Sequence, residues 1–329
     1  MLPLFWLRLD LSKCLGVVEK IRFMEGLCCE KRDTLLFSGG GLKTFAFCGA
    51  LERLYALRKD NGSGFRVFIG VSAGAALSMC LALGRSPTDA YRLLRDDSVL
   101  AAVNKQSLSL GAVFAGGGLL ERAPVARVLA SWLSAAGLPV DVSFRDFKNS
   151  TGLVLRTAAC TVDRGPPRIL VIDDVTYPNL PVLRGILASM AVPFVFDPVE
   201  VDGRLCVDPG VVNNLCLFCC LPERTIAFLS GESSSSKGSA AAALSRLNFL
   251  WKAEARVHSK RIVIVRMPPL PDHTYHLFRV GDGSDEAVER LLQQGRDATD
   301  TYAVSRAILG LVTLVVAGVF VNGDLSVAD

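Results

Sequence analysis

The sequence predicts an α/β fold with a mostly parallel central sheet that helices cover on both faces. Short apolar runs of strand length recur along the chain, among them 34–37, 67–70 and 226–229. Segments with the three- and four-residue apolar spacing of helices separate them. Strands that alternate with helices indicate parallel pairing, because a parallel connection has to cross the sheet and a helix usually makes that crossing.

The composition permits a large apolar core and excludes several classes of protein. The chain has 329 residues, half of them apolar, which is enough for a core without disulfides or a metal. Its net charge of +4 is too small to indicate nucleic-acid binding, and no aromatic-and-basic pattern of a nucleic-acid module occurs. The ten cysteines lack the density of a secreted disulfide scaffold, so we expect an intracellular protein.

The first part of the chain contains two strands, each followed by a helix. Residues 34–37 form a short apolar run, and the segment 44–57 has apolar residues at helical spacing. A polar glycine-rich loop at 60–64 leads to the second strand and its helix, which together cover about 67–83. Residues 1–32 have no clear period, and Arg8 cuts short their initial apolar run, so we do not expect a signal peptide.

The later elements continue the alternation. A mostly helical region, 86–135, is interrupted by the glycine run 116–118, which follows no strand and receives no catalytic role. The remaining predicted elements are strands at 153–159, 168–172, 226–229 and 261–265, an extended stretch at 206–208, and helices at 182–190 and 284–306.

The second strand ends in Gly70-Val71-Ser72-Ala73-Gly74, which matches the Gly-x-Ser-x-Gly nucleophile elbow. Such a turn strains the serine backbone, and it leaves no room for side chains two residues on either side. The Ser72 hydroxyl would stand at the positive end of the next helix. On its own, the string is weak evidence, because glycine and serine are common and an ordinary strand-to-helix turn has the same pattern.

Two further motifs carry groups that would complement a nucleophile. The run Gly39-Gly40-Gly41 after the first strand exposes backbone N–H groups that can stabilise an oxyanion, and Lys43 adds a positive charge beside them. A phosphate loop or a plain turn is the alternative, although neither nucleotide-binding glycine pattern fits. Asp208 precedes a proline-glycine turn, where an aspartate is often only a turn former.

Together the three motifs resemble those of the patatin-like phospholipases. The similarity covers about 33–230, and the supporting stretches 45–51, 188–194 and 211–214 resemble the family as well. The resemblance implies a three-layer α/β/α fold with no essential metal or cofactor. It also implies a catalytic dyad with Ser72 as nucleophile and Asp208 as general base. The residues that it places in the oxyanion hole and the elbow are Gly39, Gly40, Gly41, Lys43, Gly70 and Gly74.

One position departs from the family pattern, and one rival mechanism stays open. The family's middle glycine after the aspartate is Pro209 here, which lacks an N–H and fixes its own φ. If that turn needs a donor or a positive φ at this position, the dyad will be misaligned. A Ser-Asp-His triad is the rival, and it would have to use His258, His273 or His276.

We therefore expect a serine acyl-ester hydrolase of the phospholipase A type that acts on membrane lipid through an acyl-enzyme. The alternative is a catalytically weak or inactive membrane-bound protein that binds lipid or a partner on the same scaffold. A protein activator is compatible with either function. Cys216 and Cys219 have the gap of a metal pair, but no second pair at suitable spacing supports a metal site.

The predicted organisation has four segments. A lead-in at 1–32 precedes an acyl hydrolase domain at 33–302, whose motif core is 33–230. An apolar segment at 303–321 precedes the polar tail 322–329. The uncharged apolar run inside that segment has 15 residues, whereas a spanning helix needs about 20. We expect it to associate with or span a membrane as a C-terminal anchor, and a buried core element is the alternative.

Overall fold

The computed structural model describes residues 32–95, 120–163, 166–230, 263–267, 275–276, 279–280, 286 and 288–301. The predicted lead-in up to residue 31, the glycine run 116–118 and the predicted membrane segment 303–321 lie outside the described residues. No helix within the described ranges has the length and apolarity that a bilayer crossing requires. The division into segments stays a prediction.

Eight strands form one mixed sheet, and two short strands form a separate antiparallel pair. The strands of the main sheet are β1 (Thr34–Phe37), β2 (Val67–Gly70), β3 (Val154–Thr161), β4 (Ile169–Ile172), β5 (Val199–Val201), β6 (Arg204–Val207), β7 (Thr225–Leu229) and β8 (Val263–Arg266). The small pair consists of β9 (Tyr275–His276) and β10 (Arg279–Val280).

The helices confirm most of the predicted alternation. They are α1 (Thr44–Arg58), α2 (Ala73–Ala82), α3 (Pro87–Arg95), α4 (Ala123–Ala135), α5 (Phe144–Thr151), α6 (Val182–Ser189) and α7 (288–301). The sequence patterns do not predict α5 or β5. Short 3₁₀ turns at Gly41–Lys43, Pro209–Val211 and Leu217–Cys219 complete the site region.

The sheet is parallel at its centre and antiparallel at one side. Its order is β5-β6-β3-β2-β1-β7-β8, and β4 also pairs with β3. The strands β3, β2, β1, β7 and β8 run parallel, whereas β4, β5 and β6 pair antiparallel with their neighbours. The predicted mostly parallel α/β sheet is therefore confirmed. The chain passes from β1 to β2 on one side and returns to β7 on the other, which makes the carboxyl end of β1 a topological switch point.

Alternate residues of the central strands pack on opposite faces of the sheet. Leu35 and Phe37 belong to the larger apolar cluster, which includes residues of the flanking helices. Leu36 belongs to a smaller cluster on the other face, together with Leu215 and Leu217. The Phe37 ring stacks on Phe228 with centroids 5.2 Å apart. Strands with both faces covered explain why these runs are apolar throughout rather than alternating.

Strand β6 lies end to end with β2 along one edge of β3. The N–H of Val154 donates to Arg66, just before β2, and the N–H of Val162 donates to Leu205 in β6. Residues an even number apart present their N–H groups to the same edge of a strand, so β2 and β6 share that edge of β3. Because β6 runs antiparallel to β3, its last residue points the chain back toward the carboxyl end of β2.

The late helix α7 packs tightly against α1. A Cβ on Gly49 would lie 2.0 Å from the Leu292 carbonyl oxygen, and one on Gly295 would lie 1.8 Å from the Ala46 carbonyl oxygen. The backbones touch because both helices carry glycine at the crossing. Arg296 also pairs with Glu52 of α1 at 3.0 Å.

Candidate active site

Ser72 occupies a sharp turn between β2 and α2. Its φ is 56° and its ψ is −129°, a conformation that costs a non-glycine residue about 1–3 kcal/mol. The Ser72 N–H donates to the Oγ of Ser189 at 2.9 Å, at the end of α6. Ser72 occupies the N-cap position of α2 without a side-chain capping bond, so its hydroxyl stands at the positive end of that helix.

Both elbow glycines are needed for space rather than for a positive φ. A Cβ on Gly70 would lie 2.1 Å from the carbonyl oxygen of Gly74. A Cβ on Gly74 would lie 2.6 Å from the carbonyl oxygen of Ser38, at the end of β1. The obstructing atoms are backbone, so a side chain at either position could not be accommodated by a rotamer change.

Asp208 follows β6 and meets Ser72 at the carboxyl end of β2. Its N–H donates to the Ala191 carbonyl at 2.9 Å, and its Oδ1 accepts from the Gly210 N–H at 2.8 Å. The Ser72 side chain lies close enough to the same carboxylate to lower its pKa by hydrogen bonding. Burial raises the pKa of Asp208 to about 6, although the hydrogen bonds from Ser72 and Gly210 work in the opposite direction.

The turn after Asp208 accommodates proline. Pro209 is buried at the first position of the 3₁₀ turn Pro209–Val211, where a missing N–H is normally unpaired anyway. The donor to the carboxylate is the N–H of Gly210, one residue later. Neither Pro209 nor Gly210 has a positive φ. The substitution at the family's middle glycine therefore leaves the carboxylate positioned against Ser72.

The triple-glycine run lies beside Ser72, but its three N–H groups differ. A Cβ on Gly39 would lie 3.1 Å from the Ser72 Cβ. The Gly39 N–H already donates to the Asn214 carbonyl at 3.1 Å, so it does not face a substrate. The N–H groups of Gly40 and Gly41 have no backbone acceptor among the described loops and turns. They stand at the entry to α1, where the helix dipole favours negative charge.

Lys43 ends the 3₁₀ turn that joins the glycine run to α1. Its N–H donates to the Gly40 carbonyl at 3.0 Å, which tightens the turn. Its Cβ lies 3.4 Å from the place that a Gly40 Cβ would occupy. Lys43 therefore belongs to the wall of the glycine loop, as its sequence position indicates.

Three polar residues of the site received no role from the sequence. Ser189 holds the Ser72 N–H, while Asn214 and Ser230 both contact Gly39. Ser189 and Asn214 lie in stretches that resemble the family, which was the available signal. Ser230 follows β7 and carries no motif, so only the sheet order brings it to β1.

The histidine alternative stays untested. Of the three histidines, only His276, in β9, lies in the part of the chain that the structure describes. Within that part, the acidic side chain beside Ser72 is Asp208.

Comparison with known proteins identifies the family. The model of the patatin-like phospholipase domain matches residues 35–217, which is more than half of the chain. The chain belongs to the patatin-like phospholipase family. The matched range contains the glycine loop, the elbow and Asp208, so the family's three motifs and the site described above coincide.

The relatives of this patatin-like chain are distant. It is 26% identical over 182 residues to a probable lipid hydrolase, 463L, of Invertebrate iridescent virus 6, a match that covers 55% of the chain and 60% of the viral protein. It is 26% identical over 204 residues to the uncharacterized protein YqhO of Bacillus subtilis, which covers 57% of the chain and 67% of that protein.

A solved structure shows the same fold. The crystal structure of VipD from Legionella pneumophila has a TM-score of 0.50 against this chain at 14% identity, covering 84% of the chain and 67% of VipD. The predicted fold class is therefore confirmed as the patatin-like arrangement of a mixed, mostly parallel sheet flanked by helices.

Proposed function

We propose that the protein is a serine acyl hydrolase that releases fatty acid from membrane lipid esters by means of a Ser72–Asp208 dyad. The observation that carries the proposal is the position of the Ser72 side chain against the buried Asp208 carboxylate, whose pKa burial raises to about 6. A carboxylate with a raised pKa is a better base near neutral pH than an ordinary aspartate. Family membership and the lipid hydrolase relative favour a lipid ester over other acyl substrates.

In the first half-reaction, Asp208 accepts the Ser72 proton while Oγ attacks the ester carbonyl carbon. The carbonyl oxygen becomes an oxyanion, to which the N–H groups of Gly40 and Gly41 would donate. When this tetrahedral intermediate collapses, the bond from carbon to the alcohol oxygen breaks. The alcohol leaves with the proton that Asp208 held, and the acyl group stays on Ser72.

The second half-reaction repeats these steps with water. Asp208 accepts a proton from water as its oxygen attacks the acyl carbon. The bond from carbon to Ser72 Oγ then breaks, and Oγ takes the proton back from Asp208. The fatty acid leaves, and both residues return to their starting states.

A fluorophosphonate probe tests the nucleophile directly, because it reacts only with an activated serine. We expect the wild-type protein to be labelled and to release fatty acid from phospholipid vesicles. Ser72→Ala should lose both activities. The matched control is Ser131→Ala, since Ser131 is an exposed serine of α4 whose hydroxyl contacts only the backbone of Val128.

The outcomes separate the two functions that the sequence left open. Labelling or turnover that survives in Ser72→Ala would contradict the proposed nucleophile. A folded wild-type protein that binds vesicles but shows neither labelling nor turnover would instead indicate a non-catalytic lipid binder on this scaffold.

A further inference from the structure

The carbonyl oxygen of Gly39 is held by side chains from two distant parts of the chain. Asn214 Nδ2 donates to it at 3.0 Å, and Ser230 Oγ donates to it at 2.8 Å. Ser38 Oγ, from the preceding residue, is a third donor to this oxygen at 3.1 Å, and it also accepts the Ser230 N–H at 3.0 Å. The contacts from Asn214 and Ser230 are the two that come from distant segments and the two shortest.

Asn214 holds Gly39 from both sides of the residue. Its backbone carbonyl accepts the Gly39 N–H at 3.1 Å, while its side-chain amide donates to the Gly39 carbonyl. Because a carbonyl oxygen only accepts, the amide nitrogen of Asn214 must be the atom that faces it. A side chain at 39 would have to displace the Asn214 amide, since a Cβ there would lie 2.4 Å from the Asn214 Oδ1.

Fixing this oxygen also fixes a neighbouring donor. The Gly39 carbonyl and the Gly40 N–H belong to one peptide group, which is planar and trans, so they point in opposite directions. No cis peptide bond occurs among the described residues. When Asn214 and Ser230 hold the oxygen, the Gly40 N–H has to point away from them. Glycine on both sides of the peptide would otherwise leave it free to rotate.

We propose that Asn214 and Ser230 are positioning residues that aim the Gly40 N–H at the oxyanion formed during acyl transfer. This inference rests on the proposed hydrolase function. Asn214 lies six residues after Asp208, and the turn between them is tied by the bonds from Val212 and Asn213 to the Pro209 carbonyl. One short segment thus carries the base and also orients the donor.

The positioning role predicts a specific kinetic effect. The Gly40 N–H would bind the charged oxyanion strongly and the uncharged ester oxygen only weakly. A misdirected N–H therefore weakens binding of the transition state and leaves binding of the substrate almost unchanged. Complete loss of one such donor costs about 100- to 1,000-fold in kcat. We expect Asn214→Ala and Ser230→Ala each to lower kcat by about 10- to 100-fold while KM changes little, because the donor is misdirected rather than removed.

A comparison of oxygen and sulfur substrates separates positioning from general damage. The substrates are a p-nitrophenyl ester and the matching thionoester, in which sulfur replaces the carbonyl oxygen. Sulfur accepts hydrogen bonds weakly, so the preference for the oxygen ester reports the alignment of the N–H donor. We expect this preference to fall about tenfold or more in Asn214→Ala and Ser230→Ala. Ser230→Thr keeps the hydroxyl and should retain the wild-type preference.

Each outcome decides the inference. A fall in the preference in both alanine variants, with Ser230→Thr unchanged, supports it. Full kcat in the alanine variants, or lower kcat with an unchanged preference, overturns it while leaving the hydrolase function intact. A wild-type protein that hydrolyses neither ester and resists fluorophosphonate overturns the hydrolase function and this inference together.

Discussion

At the scale of single residues, the site depends on the Asp208 carboxylate, whose ionised form is destabilised by burial. Asp208 is 4% exposed, and burial raises its pKa from 3.8 to about 6. The bonds from Ser72 and Gly210 only partly replace the water that an ionised carboxylate loses on burial. The same burial that makes Asp208 a stronger base should therefore also make it a source of instability.

The first prediction concerns the pH dependence of the reaction. A general base has to be deprotonated, so kcat/KM for a soluble ester should rise with pH through about 6 and then level off. The profile is measured on the free enzyme with substrate well below KM. Asp208→Asn should remove both the activity and the rising limb. A wild-type midpoint near the ordinary aspartate value would contradict the role of burial.

The second prediction concerns stability. The folded pKa of Asp208 lies above its unfolded value, so folding is most favoured below about pH 4 and loses free energy as pH rises through about 6. Two pKa units correspond to about 2–3 kcal/mol. Asn cannot ionise and can still accept from Gly210. We therefore expect Asp208→Asn to be inactive but more stable than wild type at about pH 8.

Urea unfolding of both proteins at about pH 4 and about pH 8 measures this difference. The gain in stability of Asp208→Asn should be much smaller at the lower pH, where folded Asp208 is protonated and the unfolded carboxyl is about half protonated. An equal effect at both pH values would show that packing, and not ionisation, causes the change.

The sequence predicts which side chains carry the chemistry better than it predicts which side chains contact them. The motifs around Ser72 and Asp208 were sufficient to single out both side chains. Asn214 and Ser230 were not singled out, because they contact Gly39 from positions that are 175 and 191 residues away in the chain, respectively. A serine after an apolar strand has no local pattern that distinguishes it from a surface serine.

At the scale of elements, the turn from β2 to α2 is built so that two backbones nearly touch. The third prediction is that Gly70→Ala is severely destabilising, because its Cβ would lie 2.1 Å from the Gly74 carbonyl oxygen. Neither residue's backbone can move without displacing Ser72. We expect a loss of about 3 kcal/mol or more in the free energy of unfolding, at the upper end of overpacking effects.

Gly84→Ala is the matched control for this prediction. Gly84 follows α2 with a φ of 76°, but a Cβ there would meet no atom within 4 Å. The control should cost only about 1 kcal/mol for the left-handed conformation. Urea unfolding followed by circular dichroism measures both variants. Equal losses in the two would show that space at Gly70 is not the constraint.

The elements that sequence patterns missed are those with little apolar surface. Helix α5 buries only Phe144 and Phe147, and its remaining residues are polar. Its N-terminus is set by Ser143, whose side chain accepts the Asp146 N–H. Strand β5 has three residues, too few to show a period. Strands such as β1 and β7 were predicted because every one of their residues is buried, which makes the run apolar almost throughout.

At the scale of the whole molecule, the sheet order assembles the site. The glycine loop follows β1, the elbow follows β2, and Ser230 follows β7. These three strands are parallel neighbours, so their carboxyl ends lie side by side at the same end of the sheet. Asp208 arrives there differently, because β6 runs antiparallel beyond the end of β2. Composition and periodicity predict parallel strands, but they do not predict this reversal, which depends on pairing between strands far apart in the chain.

The last prediction concerns the C-terminal part of the chain. Helix α7 contacts α1 through Gly295, and Thr299 Oγ1 donates to the Ala50 carbonyl at 3.1 Å. A chain that ends at residue 302 keeps all of these contacts and loses the apolar run that the sequence predicts to associate with membranes. We expect it to hydrolyse a soluble ester at the wild-type rate but to stop floating with phospholipid vesicles.

A chain that ends at residue 280 is the control, since it also removes α7. The face of α1 that includes Gly49 would then be uncovered, so this protein should unfold at lower urea or fail to stay soluble. Vesicle binding that persists in the chain ending at 302 would place the membrane contact elsewhere. Loss of soluble-ester hydrolysis in that same chain would show instead that the segment completes the domain, because the helix packing alone would then be insufficient to keep Ser72 and Asp208 in register.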